Sequence, residues 1–173
     1  MTQGRKTVTV IQGDYAVSAD PNVMMSTVLG SCVAVCLFDP KAGVGGMNHF
    51  LLATAGTTES DDLKYGVNAM ELLINRVLKA GGQRSHLQAK LFGGARMTEH
   101  ARDIGATNAT FALDFLAREG IACLSQSLGG VSARRIQFIP STGAARQMQV
   151  SGALPDVAPI KPPAPQPADI TLF

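Results

Sequence analysis

The sequence predicts an α+β fold: mixed, largely hairpin-linked β-sheet layers covered by helices, an α/β sandwich. Three observations carry this. Strand-like segments outnumber helical ones, several are joined by turns too short to hold a helix, and only two stretches repeat apolar residues at helical spacing. A doubly wound parallel sheet would alternate strand and helix along its length instead.

The elements follow in order. Residues 6–12 alternate polar and apolar side chains and read as a strand. Residues 32–38 are apolar at every position, the mark of a central strand covered on both faces. Asp39-Pro40-Lys41-Ala42 then supplies Asp and Pro at the first two positions of a type I turn, and 44–52 returns as a third strand. Residues 61–80 carry Val67, Met70, Ile74 and Val77 on one helical face, with Ser60 or Asp61 as the N-cap and Gly81-Gly82 as the stop. Residues 87–92 form a strand ended by Gly93-Gly94. A second helix covers 107–119, capped by Thr107 or Asn108, with Ala112, Phe115 and Leu116 facing inward. Strands over 121–125, 134–139 and 146–150 complete the set, the last two flanking a turn at Ser141-Thr142-Gly143.

The 173 residues suit a single domain, read here as 1–150. Six of the nine prolines fall between 151 and 173, so that segment reads as a proline-rich tail, disordered or polyproline-like. Net charge is +2 and aromatic residues are 5% with no tryptophan, which argues against nucleic acid as a partner. The longest apolar run, 32–38, is far too short to enter a bilayer as a span. The N-terminus lacks the apolar stretch of a secretory signal, which predicts a cytoplasmic protein. Three cysteines, Cys32, Cys36 and Cys123, are an odd count without an export signal and do not read as a disulfide framework. With His49, His86 and His100 scattered singly, no metal site or other cofactor is expected.

One cysteine invites chemistry. Gly30-Ser31 allows a sharp turn directly before Cys32, leaving that thiol at the exposed mouth of its strand. Cys36 lies about 13 Å deeper along the same strand and reads as core, as does Cys123. A nucleophilic thiol needs a base. With Asp39–Ala42 as the hairpin loop, Phe38 pairs with Gly43 and Cys32 falls directly opposite His49, on one face of the ribbon. One residue of slip, or a bulge at Gly45-Gly46, would turn His49 to the other face. A lone core cysteine and a satisfied histidine remain the bland reading of the same residues. His86 and His100 read as surface groups, and the Gly93-Gly94 and Gly129-Gly130 pairs as turn glycines rather than phosphate cradles.

The run from Thr27 to Asp39, with Gly-Ser-Cys-Val-Ala-Val at its centre, followed by Gly46-Met47-Asn48-His49-Phe50-Leu51-Leu52, closely resembles the chemoreceptor glutamine deamidases, the CheD family of bacterial chemotaxis. Further matches are Lys90 to Ala95, Ile104 to Asn108, and Leu128-Gly129-Gly130 leading through Arg134 to Phe138 and Thr142-Gly143. The resemblance spans roughly 7–150 and stops before the tail.

It implies a protein-glutamine glutaminase, a hydrolase of linear amides. Glutamine side chains on the cytoplasmic helical bundle of a chemoreceptor would become glutamate through a cysteine thioester. A γ-glutamyl methyl ester would follow the same path. Cys32 is then the nucleophile and His49 the general base. The family's third residue, a threonine six positions before the cysteine, corresponds to Ser26 here, with Thr27 beside it. Backbone near Gly30 and Ser31 would face the oxyanion, while Arg96, Arg134 and Arg135 would engage the receptor's acidic methylation region. A CheC-type phosphatase is a further implied partner. The contrasting reading is a non-catalytic module that binds receptors or such a phosphatase; another is a thiol hydrolase of a small free amide.

Overall fold

The structure, a computed structural model, describes residues 4–52, 58–97, 103–150 and 170–173. Along the chain run β1 (Lys6–Thr9), β2 (Tyr15–Ser18), β3 (Val23–Leu29), β4 (Val33–Asp39), β5 (Val44–Asn48), α1 (Glu59–Lys79), β6 (Gln88–Gly93), α2 (Ile104–Arg118), β7 (Ala122–Leu128), β8 (Arg134–Ile139), β9 (Ala144–Gln149) and β10 (Ile170–Leu172). They form two five-stranded sheets, ordered β1-β3-β8-β9-β10 and β2-β5-β4-β6-β7. Each sheet is antiparallel apart from one parallel pair, β1 with β3 and β6 with β7. The architecture is α+β, in three layers: one sheet, the second sheet, then the two helices.

Strand β4 is the middle strand of the second sheet, and its two faces build the two cores. Val33, Val35 and Leu37 face α1 and α2, against Met70, Leu73, Val77, Ala112 and Leu116. Ala34, Cys36 and Phe38 face the first sheet, against Met25, Leu29, Ile136 and Phe138. Burying each large apolar side chain is worth about 1.5–3 kcal/mol. The uninterrupted apolar run is therefore what a strand sandwiched between layers requires.

The hairpin differs from the expected one by a residue on each strand. Asp39 pairs with Val44 and Cys36 with Met47, so the loop is Pro40 to Gly43. Gly43 takes a positive φ, and its N–H donates to the Asp39 carbonyl. The buried Asp39 carboxylate accepts the N–H groups of Lys41, Ala42 and Gln83. Burial alone would lift its pKa; those three donors, with His86 nearby, hold it below the usual value. The β5 strand runs through Gly45-Gly46 in regular register with β4. Glycine is needed there for close packing, since a Cβ on Gly45 would stand 2.6 Å from the Pro140 carbonyl oxygen of the first sheet.

Other boundaries moved. Helix α1 is capped by Thr58 rather than Ser60 or Asp61, and α2 by Asp103 rather than Thr107 or Asn108. Asn108 is thereby placed inside the helix, on its buried face. Strands β2 and β3 had no counterpart in the sequence reading, because Ser26-Thr27 interrupts the apolar pattern of β3. Of the proline-rich segment expected to be disordered or polyproline-like, residues 151–169 lie outside the described residues; Ile170–Leu172 form β10, antiparallel to β9, and the Phe173 ring packs edge-on against Phe92 at 5.2 Å. An apolar, β-prone end is what allows it. No helix of the described residues is long and apolar enough to cross a membrane.

Candidate active site

The chain leaves the first sheet at the end of β3 and enters the second at β4, and Cys32 sits in that passage. Three contacts hold the turn. The Gly30 carbonyl accepts the Ala95 N–H, the Ser31 carbonyl accepts the Asn108 side-chain amide at 2.8 Å, and the Cys32 carbonyl accepts the Gly94 N–H at 2.8 Å. Gly93 must be glycine for this to happen. Its φ is +111°, and a Cβ there would lie 2.1 Å from the Cys32 oxygen. Cys32 itself is only 8% exposed, more enclosed than an open strand mouth, and burial pushes its thiol up to about 11. Its backbone N–H has no hydrogen-bond partner among the described residues.

His49 follows β5 directly. The ladder with β4 opens there: the Val35 N–H bonds the Asn48 side-chain oxygen, and pairing resumes where Val33 meets Phe50. His49 thus lies beside Ala34 instead of directly opposite Cys32. The parity is unchanged, so both side chains still point between the sheets, as diagonal neighbours. The imidazole reaches across to β3, where Nδ1 is 2.8 Å from Thr27 Oγ1. Burial lowers the pKa of His49, against the opposing influence of the Val10 carbonyl, so the ring is neutral near pH 7.

The tautomer follows from Thr27. Its hydroxyl has one proton, and it donates that proton to the Val10 carbonyl at 2.6 Å. Toward His49 it can then only accept, which puts a proton on Nδ1 and leaves Nε2 with a free lone pair. The Val10 carbonyl, 3.4 Å from Nδ1, is a second acceptor on the same side.

The expected site residues divide accordingly. Thr27, not Ser26, meets the imidazole. Ser26 precedes it in the same strand, so its side chain turns to the opposite face of the first sheet. Gly30 and Ser31 form the turn before the thiol. Arg134, expected to reach the receptor, is buried, and its guanidinium is used internally on the carbonyls of Ser127 and Gly129. It braces the loop after β7 rather than offering a surface charge. Arg96 is exposed beside that loop, its N–H donating to the Gly130 carbonyl. Cys36 is fully buried four residues into β4, and Cys123 is half-buried in β7. His86 lies 3.7 Å from Asp39; His100 lies outside the described residues.

The sequence assigns no part in the site to Val10, Gln12, Asn48 or Asn108. Gln12 Oε1 is 3.7 Å from Cys32 Sγ. Asn108 is fully buried and accepts the Leu52 N–H while donating to Ser31, tying together the segments that carry Cys32 and His49. Its place on the apolar stripe with Ala112 and Phe115 was a legible signal; for Val10 and Gln12 none existed.

The chain's relatives bear on what this arrangement is. A family model described as CheD chemotactic sensory transduction matches residues 51–149. A protein of Ruegeria sp. named "Probable chemoreceptor glutamine deamidase CheD 1" is 55% identical, over 86% of this chain and 80% of its own. A protein of Caulobacter vibrioides named "Probable chemoreceptor glutamine deamidase CheD" is 52% identical, covering 96% of this chain and 92% of its own. One of Agrobacterium fabrum with the same name is 48% identical, covering 100% and 99%. By both measures this chain belongs to the CheD family of chemotaxis proteins.

Proposed function

We propose that the protein deamidates glutamine side chains of chemoreceptors to glutamate, with Cys32 as nucleophile and His49 as base. The hydrogen bond from His49 Nδ1 to Thr27 carries this reading, because it fixes Nε2 as the nitrogen able to take a thiol proton. The resting site holds a neutral thiol and a neutral imidazole, since burial disfavours both charges. A preformed ion pair is the less favourable starting point.

As the substrate carboxamide enters, Cys32 Sγ attacks its carbonyl carbon while the thiol proton passes to His49 Nε2. The resulting imidazolium is stabilised by the oxygens of Thr27 and Val10. Negative charge gathers on the former carbonyl oxygen, for which the Cys32 N–H, unpartnered among the described residues, is an available donor; one such donor is typically worth about 3–4 kcal/mol. The tetrahedral adduct collapses, the C–N bond breaks, and His49 returns its proton to the departing ammonia. Water, deprotonated by the same imidazole, then cleaves the thioester to give glutamate and the free thiol. A methyl ester would take this path with methanol leaving.

A non-catalytic interaction module is the competing reading. Two exposed apolar side chains one turn apart on α1, Leu63 and Val67, are the feature that favours it. Mass spectrometry of a receptor cytoplasmic fragment separates the two. Incubation with the protein should add about 1 Da at particular glutamines. Cys32→Ala should abolish the gain and Cys36→Ala should retain most of it. Binding without any mass gain would leave the interaction module standing.

A further inference from the structure

We propose that Gln12 is a catalytic residue, the side-chain arm of the site that holds the oxyanion. This rests on the deamidation reading above and extends it to a residue from another part of the chain.

Two observations carry it. First, the Gln12 carboxamide meets the reacting atom: its Oε1 accepts from the Cys32 thiol at 3.7 Å. Second, the short segment bearing Gln12 is fastened at one end to Ser26 and Thr27 and at the other to the candidate base. Before it, Val10 takes the Thr27 hydroxyl on its carbonyl and donates its N–H to Ser26. After it, the Gly13 N–H donates to the His49 carbonyl at 2.8 Å, and the His49 N–H donates to the Asp14 carbonyl at 3.2 Å. The turn between them is closed by the Asp14 N–H on the Ile11 carbonyl, with Gly13 at φ +90°. Gln12 is exposed, so no packing role accounts for its side chain lying over the sulfur.

A carboxamide carries an acceptor and a donor on one carbon. A half-turn about its last bond replaces Oε1 with Nε2 and leaves the backbone where it is. At rest the acceptor faces the thiol proton. Once that proton has gone to His49, the donor face suits the negative oxygen that appears beside the sulfur. That oxygen is bonded to the carbon that sulfur has just joined, so a group in contact with Sγ reaches it too. The Cys32 N–H and the Gln12 amide would then donate from two directions.

The test compares wild type, Gln12→Ala, Gln12→Glu and Cys32→Ala on a purified receptor fragment. It measures ammonia release and, separately, alkylation of Cys32 by iodoacetamide. Loss of an oxyanion donor should lower kcat for Gln12→Ala by about 10²–10³-fold with KM little changed. Gln12→Glu, which lacks the donor and adds a negative charge, should fall at least as far. Alkylation passes through no oxyanion, so its rate in Gln12→Ala should not fall with kcat; a parallel fall would mean a displaced thiol and would overturn the proposal. Full kcat in Gln12→Ala, or a raised kcat/KM with faster alkylation as expected of a mere placeholder, would overturn the proposal while an inactive Cys32→Ala upholds the deamidation reading. Turnover by Cys32→Ala would overturn both.

Discussion

The side-chain amide of Asn108, on the buried face of α2, donates to the carbonyl of Ser31 at 2.8 Å, directly beside the thiol. The same side chain accepts the N–H of Leu52, just beyond His49. One buried amide thereby spans the two segments that present the sulfur and the imidazole. Replacing it with alanine strands both backbone groups out of water, at about 1–3 kcal/mol for each. Asn108→Ala should lower the urea unfolding midpoint accordingly and reduce turnover beyond what the stability loss explains. An unchanged midpoint would show that the amide is dispensable.

The proposed role of Thr27 beside His49 is open to a direct comparison with Ser26. Thr27→Val keeps shape but removes the oxygen that orients His49, so the ring is free to rotate or change tautomer. A misplaced base of this kind costs about 10²-fold in kcat. Ser26→Ala, on the opposite face of β3, should leave kcat near wild type. The reverse order in a side-by-side kinetic assay would return the role to Ser26.

As the proposed base, His49 must be neutral to take the thiol proton, and burial lowers its pKa below the ordinary imidazole value of 6.5. Protonation therefore occurs at lower pH than for a free histidine. The acid limb of the kcat/KM profile should accordingly fall below pH 6.5, with activity lost as pH drops through that lower value. An acid limb above 6.5 would mean that the imidazolium is stabilised in the free protein, contrary to the enclosed site seen here.

Gly93 is a further point of leverage. Its positive φ and the 2.1 Å approach of a hypothetical Cβ to the Cys32 oxygen leave no room for a side chain. Gly93→Ala should cost at least about 1–3 kcal/mol of stability from backbone strain. It should also reduce turnover by shifting the turn that bears the thiol. Thermal unfolding and ammonia release together check this; a variant with unchanged Tm would contradict it.

Much of this architecture was legible in the chain. The unbroken apolar run of β4 announces a strand with a layer on each side, and it is the central strand of its sheet. The glycines after Lys79 and Arg118 stop the two helices near the expected points. Even an imperfect hairpin register put Cys32 and His49 on one face. Shifting both strands by one residue keeps the parity of their side chains and alters only whether they lie opposite or diagonal. Arg134 was misjudged for a simple reason: nothing in its sequence neighbourhood reveals that the carbonyls of Ser127 and Gly129 curl back to meet it.

Local pattern decides which residues pair within a ribbon, because side-chain alternation and turn chemistry act between near neighbours in sequence. That is why the sequence alone places the thiol and the imidazole on one face of the ribbon. Thr27, Val10 and Gln12 belong to the opposite sheet and its connecting turn, and they meet the thiol and the ring only where two layers stack. Which face of β3 looks inward, and which loop closes over the sulfur, depends on how those layers dock. Burial across that contact, and not any spacing along the chain, made the choice of Thr27 over Ser26.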